Sequence, residues 1–274
     1  MRIAINGFGR IGRAVFRIAE QLRDIEVVAI NDLFDHKALR YLLQYDTVMG
    51  RFEGAVRLED GALHTEHSRV RMLQESNPQQ LPWEELGIDA VVESTGVFST
   101  REQCAMHLSA GAKRVLLTVP AKDAIDYTVV LGVNDDGLAE HHEIVSNASC
   151  TTNCLAPVAK VLHKAFGIET GVINTVHAYT NDQQILDLPH SDLRRARAAG
   201  VSIIPTSTGA ARAVGLVIPE LNGKLDGMAM RVPTPDGSVV DLVAELSENV
   251  TKDAVNQAFQ AAANGPMKGV LEYS

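Results

Sequence analysis

GFGRIG, residues 7–12, decides the fold of this chain, because its three glycines stand where a predicted strand gives way to a predicted helix. The apolar run Arg2–Asn6 is typical of a short buried strand, and the spacing of apolar residues over 10–22 is typical of an amphipathic helix. Glycines at such a junction permit a tight turn and let the backbone approach a pyrophosphate at the helix N-terminus. The stretch therefore predicts the first unit of a dinucleotide-binding domain.

An acidic residue, Asp32, follows the second predicted strand, residues 26–30. It comes about 20 residues after Gly12, where a carboxylate accepts hydrogen bonds from an adenosine ribose. A carboxylate there would also repel a 2′-phosphate, so Asp32 favours NAD over NADP. The alternative is a glycine-rich turn that binds nothing, with Asp32 as a solvated strand end.

The remaining pattern predicts two domains. In the first half, short apolar runs alternate with helical patterns, which is typical of a parallel sheet covered by helices. In the second half long strands follow one another, which predicts a mostly antiparallel sheet. We predict an α/β protein with a doubly wound Rossmann domain at residues 1–149 and an α+β catalytic domain at residues 150–274. The elements predicted beyond the first are strands at 89–93, 114–118, 144–146, 170–180, 227–232 and 238–245, and helices at 150–166 and 252–263.

Composition restricts the setting of the protein. The chain has 274 residues, of which 46% are hydrophobic, enough for about two globular domains. Its net charge of −9 disfavours nucleic acid and anionic lipid as partners. The chain has only three cysteines, too few for a disulfide framework, and no apolar run near ~18 residues. We therefore predict a cytoplasmic protein with no membrane or nucleic-acid partner and no metal.

A cysteine flanked by hydroxyl side chains opens the helix predicted over residues 150–166. Ser149 and Thr151 flank Cys150, and the unpaired N–H groups and dipole of a helix start stabilise a thiolate or an oxyanion. The sequence therefore indicates that Cys150 is a nucleophile. The alternatives are a small buried hydrophobe and a disulfide or metal site shared with Cys154, which we expect to be a buried structural thiol.

A histidine ends the long strand predicted over residues 170–180. His177 follows Asn174-Thr175-Val176 and could be a satisfied core histidine. Placed at a strand end near a cleft, however, an imidazole is suited to act as general base and partner of a thiolate. We predict this second role for His177.

Taken together, the motifs of the chain resemble those of phosphorylating glyceraldehyde-3-phosphate dehydrogenases, and the resemblance runs along essentially the whole chain. The motifs are INGFGRIG at 5–12, ASCTTNCLAP at 148–157, HAYT at 177–180 and MAMRVP at 228–233. Erythrose-4-phosphate dehydrogenases are the nearest alternative family. A non-catalytic protein that binds NAD is a further alternative.

The resemblance implies an activity and a set of site residues. It implies NAD-dependent oxidation of glyceraldehyde 3-phosphate with inorganic phosphate, through a thiohemiacetal and a thioester on Cys150, with His177 as the base. It assigns the substrate phosphate to Thr180 and Arg231. It assigns the binding of the attacking phosphate to Ser149, Thr151, Thr208, Gly209 and Arg195. It assigns the binding of the cofactor to Gly7, Gly9, Arg10, Ile11, Gly12, Asp32, Thr95, Gly96 and Thr118.

The resemblance also sets expectations about specificity and assembly. At positions 33 and 189 the chain carries Leu33 and Pro189, which resemble the residues of the NAD-specific family members. The resemblance also leads us to expect a homotetramer. Thr118 stands where a serine is usual, and Ser76 where many members carry a basic residue. Members continue beyond the position of Ser274 with a strand and a helix whose Asn holds the nicotinamide carboxamide, so we expect the catalytic domain of this chain to be cut short.

Overall fold

The computed structural model describes residues 1–274 as two compact units. One comprises Met1–Thr128 and Leu138–Ala148, and the other Val129–Gly137 and Ser149–Ser274. The predicted boundary falls between residues 149 and 150. Sequence reasoning had no signal for the segment Val129–Gly137, a short stretch that belongs with the second unit.

The first unit is a nine-stranded sheet and a small hairpin with four α-helices. Its strands are β1 (Arg2–Asn6), β2 (Glu26–Asn31), β3 (Tyr45–Asp46), β4 (Gly50–Arg51), β5 (Arg57–Glu59), β6 (Ala62–His64), β7 (Arg69–Leu73), β8 (Ala90–Glu93), β9 (Val115–Leu117), β10 (Tyr127–Thr128) and β11 (Ile144–Ser146). Its helices are α1 (Arg10–Ala19), α2 (His36–Gln44), α3 (Trp83–Leu86) and α4 (Arg101–Ser109).

The order of the strands places a ligand crevice. The sheet runs β10-β11-β9-β8-β1-β2-β7-β6-β5, and every pair is parallel except β5–β6 and β6–β7. The chain moves outward from β1 in one direction through β2 and in the other through β8, and ligands bind at the carboxyl ends of the strands at such a switch point. The predicted Rossmann fold is confirmed.

The first unit differs from the prediction in several places, since helices α2 and α3 and strands β3 to β7 and β10 were not predicted. Helix α1 ends at Ala19 rather than residue 22, because Gln21 and Leu22 close a tight turn by donating to Ile18 and Ala19. Helix α4 was not predicted, since its sequence lacks an apolar period. A signal was nevertheless present, because Thr100 and Gln103 form a capping box.

The second unit is a four-stranded sheet with three α-helices. Its elements are β12 (Ile168–Ala178), β13 (Ile204–Ser207), β14 (Leu225–Val232), β15 (Ser238–Leu246), α5 (Cys150–Phe166), α6 (Ala210–Val217) and α7 (Lys252–Asn264). The order is β13-β14-β12-β15, with β12–β14 parallel and the other two pairs antiparallel. The mostly antiparallel sheet is confirmed. Helix α6 was missed, because its eight residues are too few to show a clear apolar period.

None of the helices combines the length and the apolar composition that a membrane span requires.

Candidate active site

Cys150 is the first residue of α5, and its position is fixed by a cap. The Ser149 hydroxyl oxygen accepts the Thr152 N–H at 3.0 Å, so the helix begins at the cysteine. Just before the cap, Ala148 has φ +55°, a left-handed conformation that costs a non-glycine residue about 1–2 kcal/mol. With 17 residues, α5 is long enough to present a full helix dipole to Cys150.

His177 lies against the thiol of Cys150. Cys150 Sγ is 3.2 Å from His177 Nε2. This hydrogen bond lowers the pKa of Cys150, with further help from the His177 charge and from the backbone and hydroxyl of Thr151, while partial burial of the sulfur opposes the shift. The same bond raises the pKa of His177. Partial burial opposes that rise, but both net shifts run in the direction that stabilises a thiolate–imidazolium pair.

The other two cysteines have the opposite environment. Cys104 is fully buried, and burial raises the pKa of its thiol to about 12. Partial burial and the neighbouring Cys150 raise the pKa of Cys154. Cys154 is nevertheless an exposed residue, so the expectation that it would be buried is wrong. All three cysteines are free thiols, and only Cys150 has a lowered pKa.

Arg231 lies beside the imidazole because of strand register. β14 pairs in parallel with β12 so that Arg231 stands opposite His177. Its guanidinium nitrogen is 2.7 Å from His177 Nδ1 and donates to the Ala178 carbonyl at 3.1 Å, while Nδ1 is 2.7 Å from the same oxygen. A protonated His177 donates to Cys150 Sγ and to Ala178, whereas the contact with Arg231 is a hydrogen bond only when Nδ1 carries no proton. The charge of Arg231 accordingly opposes protonation of the imidazole and limits the rise in the pKa of His177.

A second arginine contributes to the same positive field. Burial and the nearby charge of Arg195 lower the pKa of Arg231. Arg195 Nε donates to the Thr206 hydroxyl at 2.9 Å, and the other guanidinium nitrogens contact Thr206 and Asp182. The Arg231 and Arg195 guanidinium groups repel each other, so an anion near both binds more favourably because it relieves that repulsion.

The predicted phosphate-binding residues gather where two helices begin. The Thr152 hydroxyl donates to the Ala210 carbonyl at 3.3 Å, which brings the starts of α5 and α6 together. Thr208 and Gly209 precede α6, and a Cβ added to Gly209 would meet no atom within 4 Å. Ser149 and Thr151 lie at the start of α5, where unpaired N–H groups favour anions. Thr180 lies just past the end of β12.

In the first unit, each glycine of the GFGRIG motif is required for a different steric reason. Gly7 has φ +91°, and a Cβ there would lie 2.6 Å from Thr95 N. A Cβ on Gly12 would lie 2.2 Å from the Gly7 carbonyl oxygen. Gly9, in contrast, faces open space, with no atom within 4 Å of an added Cβ. A ligand can therefore approach the backbone at Gly9, which is what a pyrophosphate needs.

The other predicted cofactor residues lie at the carboxyl ends of neighbouring strands. Asp32, after β2, accepts the Phe8 N–H at 2.7 Å and the Phe34 N–H at 3.0 Å. Thr95 and Gly96 follow β8, and Gly96 has φ +73°. Thr118 follows β9. Arg10 and Ile11 are exposed at the start of α1. This set fits a dinucleotide, with a helix start for its pyrophosphate and a carboxylate for a ribose.

Comparison with known proteins settles the family. Residues 149–274 match the model of the glyceraldehyde 3-phosphate dehydrogenase C-terminal domain, and residues 1–101 match that of the NAD binding domain. The chain belongs to the glyceraldehyde-3-phosphate dehydrogenase family. Over 275 residues it is 59% identical to glyceraldehyde-3-phosphate dehydrogenase of Geobacillus stearothermophilus, and over 278 residues 55% identical to that of Streptomyces coelicolor. Each match covers 100% of this chain and 82% of the relative.

Sequence reasoning missed several residues that shape this dehydrogenase site. Thr206 and Asp182 hold Arg195, but no local pattern connects residues so far apart in sequence. Glu93 is fully buried at the end of β8 and bonds to Thr95. Here a signal did exist, because an acidic residue that ends a buried strand must have partners.

The lowered pKa of Cys150 gives a prediction about alkylation. A thiol reacts as its thiolate, so the rate at which Cys150 reacts with iodoacetate should rise with pH, with a midpoint below the pH at which ordinary thiols ionise. At neutral pH, Cys150 should therefore react before Cys104 or Cys154. The raised pKa of His177 keeps the pair charged as the pH rises, until the imidazolium loses its proton. His177→Asn should move the midpoint upward and slow the reaction at neutral pH about tenfold, the effect of one pKa unit.

Peptide mass spectrometry after timed alkylation would measure this. The exposed His67→Asn serves as the control and should leave the midpoint unchanged. Equal labelling of all three cysteines, or the same midpoint in His177→Asn and wild type, would contradict the assignment.

Proposed function

We propose that this chain oxidises D-glyceraldehyde 3-phosphate with NAD and inorganic phosphate to 1,3-bisphosphoglycerate, a reaction of glycolysis and gluconeogenesis. The observation that carries the proposal is the 3.2 Å contact of Cys150 Sγ with His177 Nε2 at the start of α5. It is supported by the family of the chain and by relatives named glyceraldehyde-3-phosphate dehydrogenase. Cys150 and His177 are its proposed catalytic residues.

The first step is nucleophilic addition. The Cys150 thiolate attacks the aldehyde carbon and the carbonyl oxygen takes the proton of the His177 imidazolium, which gives a thiohemiacetal and a neutral His177. While negative charge develops on that oxygen, the N–H groups at the start of α5 and His177 stabilise it. His177 then takes the hydroxyl proton as the carbon is oxidised to a thioester.

Residues of the first unit are proposed to hold the cofactor. When bound, NAD supplies the acceptor for the hydride that leaves the substrate carbon. Gly7, Gly9 and Gly12 would leave room for the pyrophosphate, the N–H groups of Arg10 and Ile11 would donate to it, and Asp32 would accept from the adenosine ribose. Thr95 and Gly96 would contact the adenosine side, and Thr118 would contact the nicotinamide ribose.

Two anion sites are needed, because substrate and attacking nucleophile both carry phosphate. We assign the substrate phosphate to Arg231 and Thr180. The attacking phosphate is assigned to Arg195 and to the starts of α5 and α6, with the residues Ser149, Thr151, Thr208 and Gly209. Inorganic phosphate there attacks the thioester carbon, the acyl phosphate leaves, and Cys150 returns as the thiolate.

A reactive thiolate supports a reducing compartment. Cys104, Cys150 and Cys154 are all free, and a nucleophile with a lowered pKa is readily oxidised outside such a compartment. The proposal therefore places the protein in the cytoplasm.

The proposed reaction is tested by steady-state kinetics. Cys150→Ser should abolish NADH formation, because a serine hydroxyl lacks the acidity of the thiol, while the neighbouring Cys154→Ser should keep most of the activity. Turnover should require inorganic phosphate and prefer glyceraldehyde 3-phosphate. An enzyme that prefers erythrose 4-phosphate and turns over without phosphate would belong to the rival class. A chain that binds NAD and oxidises neither aldehyde would be a binding protein.

Cofactor choice is tested at Asp32. Asp32→Ala removes a charged hydrogen-bond acceptor, so NAD should bind about ten- to a hundredfold more weakly, while the penalty on NADP is relieved. The exposed Asp24→Ala is the control and should change neither affinity. Isothermal titration with both cofactors would measure the ratio. Equal use of NAD and NADP by the wild-type protein would show that Asp32 does not select the cofactor.

A homotetramer is proposed as the working form, supported by four exposed apolar residues on one face of the second unit's sheet. Val172, Met228, Val239 and Val243 are 59%, 40%, 65% and 65% exposed. Register places Val172 opposite Val243, and the others share that face. The exposed Asp226 and Asp241 share this face by register, so apolar and acidic groups alternate on it, and we propose that this mixed surface is the one that associates.

Assembly is tested by mass. Val239→Lys combined with Val243→Lys should reduce the tetramer to dimers or monomers, because the ammonium groups would lose their hydration on burial in the interface. Ile18→Lys, on an equally exposed position of α1, should leave the tetramer intact. Sedimentation equilibrium would report both. A monomeric wild-type protein, or a tetramer that tolerates the paired substitution, would contradict the proposed interface.

A further inference from the structure

Glu93 forms the centre of a buried polar cluster in the first unit that the proposed reaction does not use. Glu93 is 1% exposed, and its neighbours Asn6 and His107 are 1% and 0% exposed. Each carboxylate oxygen faces donors. Oε2 accepts from Asn6 Nδ2 at 2.6 Å and from His107 Nε2 at 3.1 Å. Oε1 accepts the Thr95 N–H at 2.9 Å and also the Thr95 hydroxyl.

The proton on His107 is fixed by a tryptophan. Trp83 Nε1 donates to His107 Nδ1 at 3.0 Å, and an indole nitrogen can only donate. His107 Nδ1 must therefore be an acceptor, so the ring proton lies on Nε2 and is donated to Glu93. Trp83 and His107 are both fully buried, so no water competes for these bonds.

The orientation of Asn6 is fixed in the same way from the other side. The Glu75 N–H donates to Asn31 Oδ1 at 2.8 Å, which places the Asn31 amide nitrogen at the opposite end of that side chain. This nitrogen donates to Asn6 Oδ1 at 2.7 Å, so the Asn6 amide nitrogen must point at Glu93. Two chains of hydrogen bonds, each with a defined direction, end on one carboxylate.

The groups that Glu93 holds are those next to the cofactor residues. Asn6 precedes Gly7, Asn31 precedes Asp32, and Thr95 precedes Gly96. The main-chain carbonyl of Glu93 also accepts the Thr118 N–H at 3.1 Å and the Thr118 hydroxyl at 3.2 Å. A single residue thus ties together the ends of β1, β8 and β9 and reaches β2 through Asn31.

We propose that Glu93 is a positioning residue for the dinucleotide, and that its carboxylate, oriented by His107 and Asn6, holds the loops after β1 and β8 in the shape that binds NAD. The inference rests on the proposed function, since it concerns the same cofactor. Preorganised loops bind more tightly, because the ligand does not have to order them.

The test compares Glu93→Gln with wild type. An amide offers one acceptor and one donor group, so it cannot accept from both Thr95 and the pair Asn6 and His107. The Kd and KM for NAD should rise about tenfold or more, while kcat at saturating NAD and the KM for the aldehyde stay within about threefold. Trp83→Phe keeps the buried ring and frees the His107 proton, so it should raise the Kd for NAD by a smaller factor.

Leu63→Ala is the control for loss of stability alone, because this core residue on β6 is fully buried outside the cluster. It should lower the thermal midpoint and leave the Kd for NAD within about twofold. An unchanged Kd for NAD in Glu93→Gln would overturn the inference. It would also be overturned if Glu93→Gln and Leu63→Ala showed the same rise in Kd for the same loss of thermal midpoint. If Glu93→Gln does not fold, Trp83→Phe decides, and an unchanged Kd there overturns it. Wild-type protein that binds no NAD would instead overturn the proposed function.

Discussion

The hydrogen bond between Cys150 and His177 is the constraint on which the chemistry of the second unit depends. A thiol is a poor nucleophile until it loses its proton, and the imidazole on β12 and the start of α5 both stabilise the charged sulfur. For these groups to meet, the helix must begin at the cysteine and the strand must end at the histidine. The Ser149 cap and the strained Ala148 serve the first requirement. The pairing of β12 with β14 serves the second and brings Arg231 to the same place.

The two units differ in how their clustered charged groups are balanced. In the second unit, Arg231 and Arg195 lie in each other's field beside His177, and Asp182 offsets part of this positive charge. We propose that an anionic substrate balances the rest. In the first unit, the buried Glu93 carboxylate is surrounded by donors and needs no ligand. One arrangement is open to a reactant, whereas the other gives rigidity to the loops around it.

Much of this could be predicted from the sequence, because the deciding features are local. The GFGRIG turn, the helix from Cys150 to Phe166 and the strand that carries His177 each have a short-range pattern, and the structure places them within two residues of the prediction, apart from the end of α1. The resemblance to the dehydrogenase family supplied the phosphate residues that no pattern would have indicated. Features that depend on distant pairing were missed. The Glu93 cluster joins residues from 6 to 107, and Arg195 is held by Asp182 and Thr206 across a loop. Helix α6 was missed because its eight residues are too few for a clear period.

A covalent intermediate on Cys150 is the most direct test of the proposed chemistry. Mixing the protein with NAD and glyceraldehyde 3-phosphate in the absence of inorganic phosphate should leave an acyl group on Cys150, seen as a mass increase of that peptide and as one NADH per reactive thiol. Adding phosphate should remove the acyl group and allow turnover. An unmodified Cys150 after NADH has formed, or an acyl group on Cys104 or Cys154, would contradict the account.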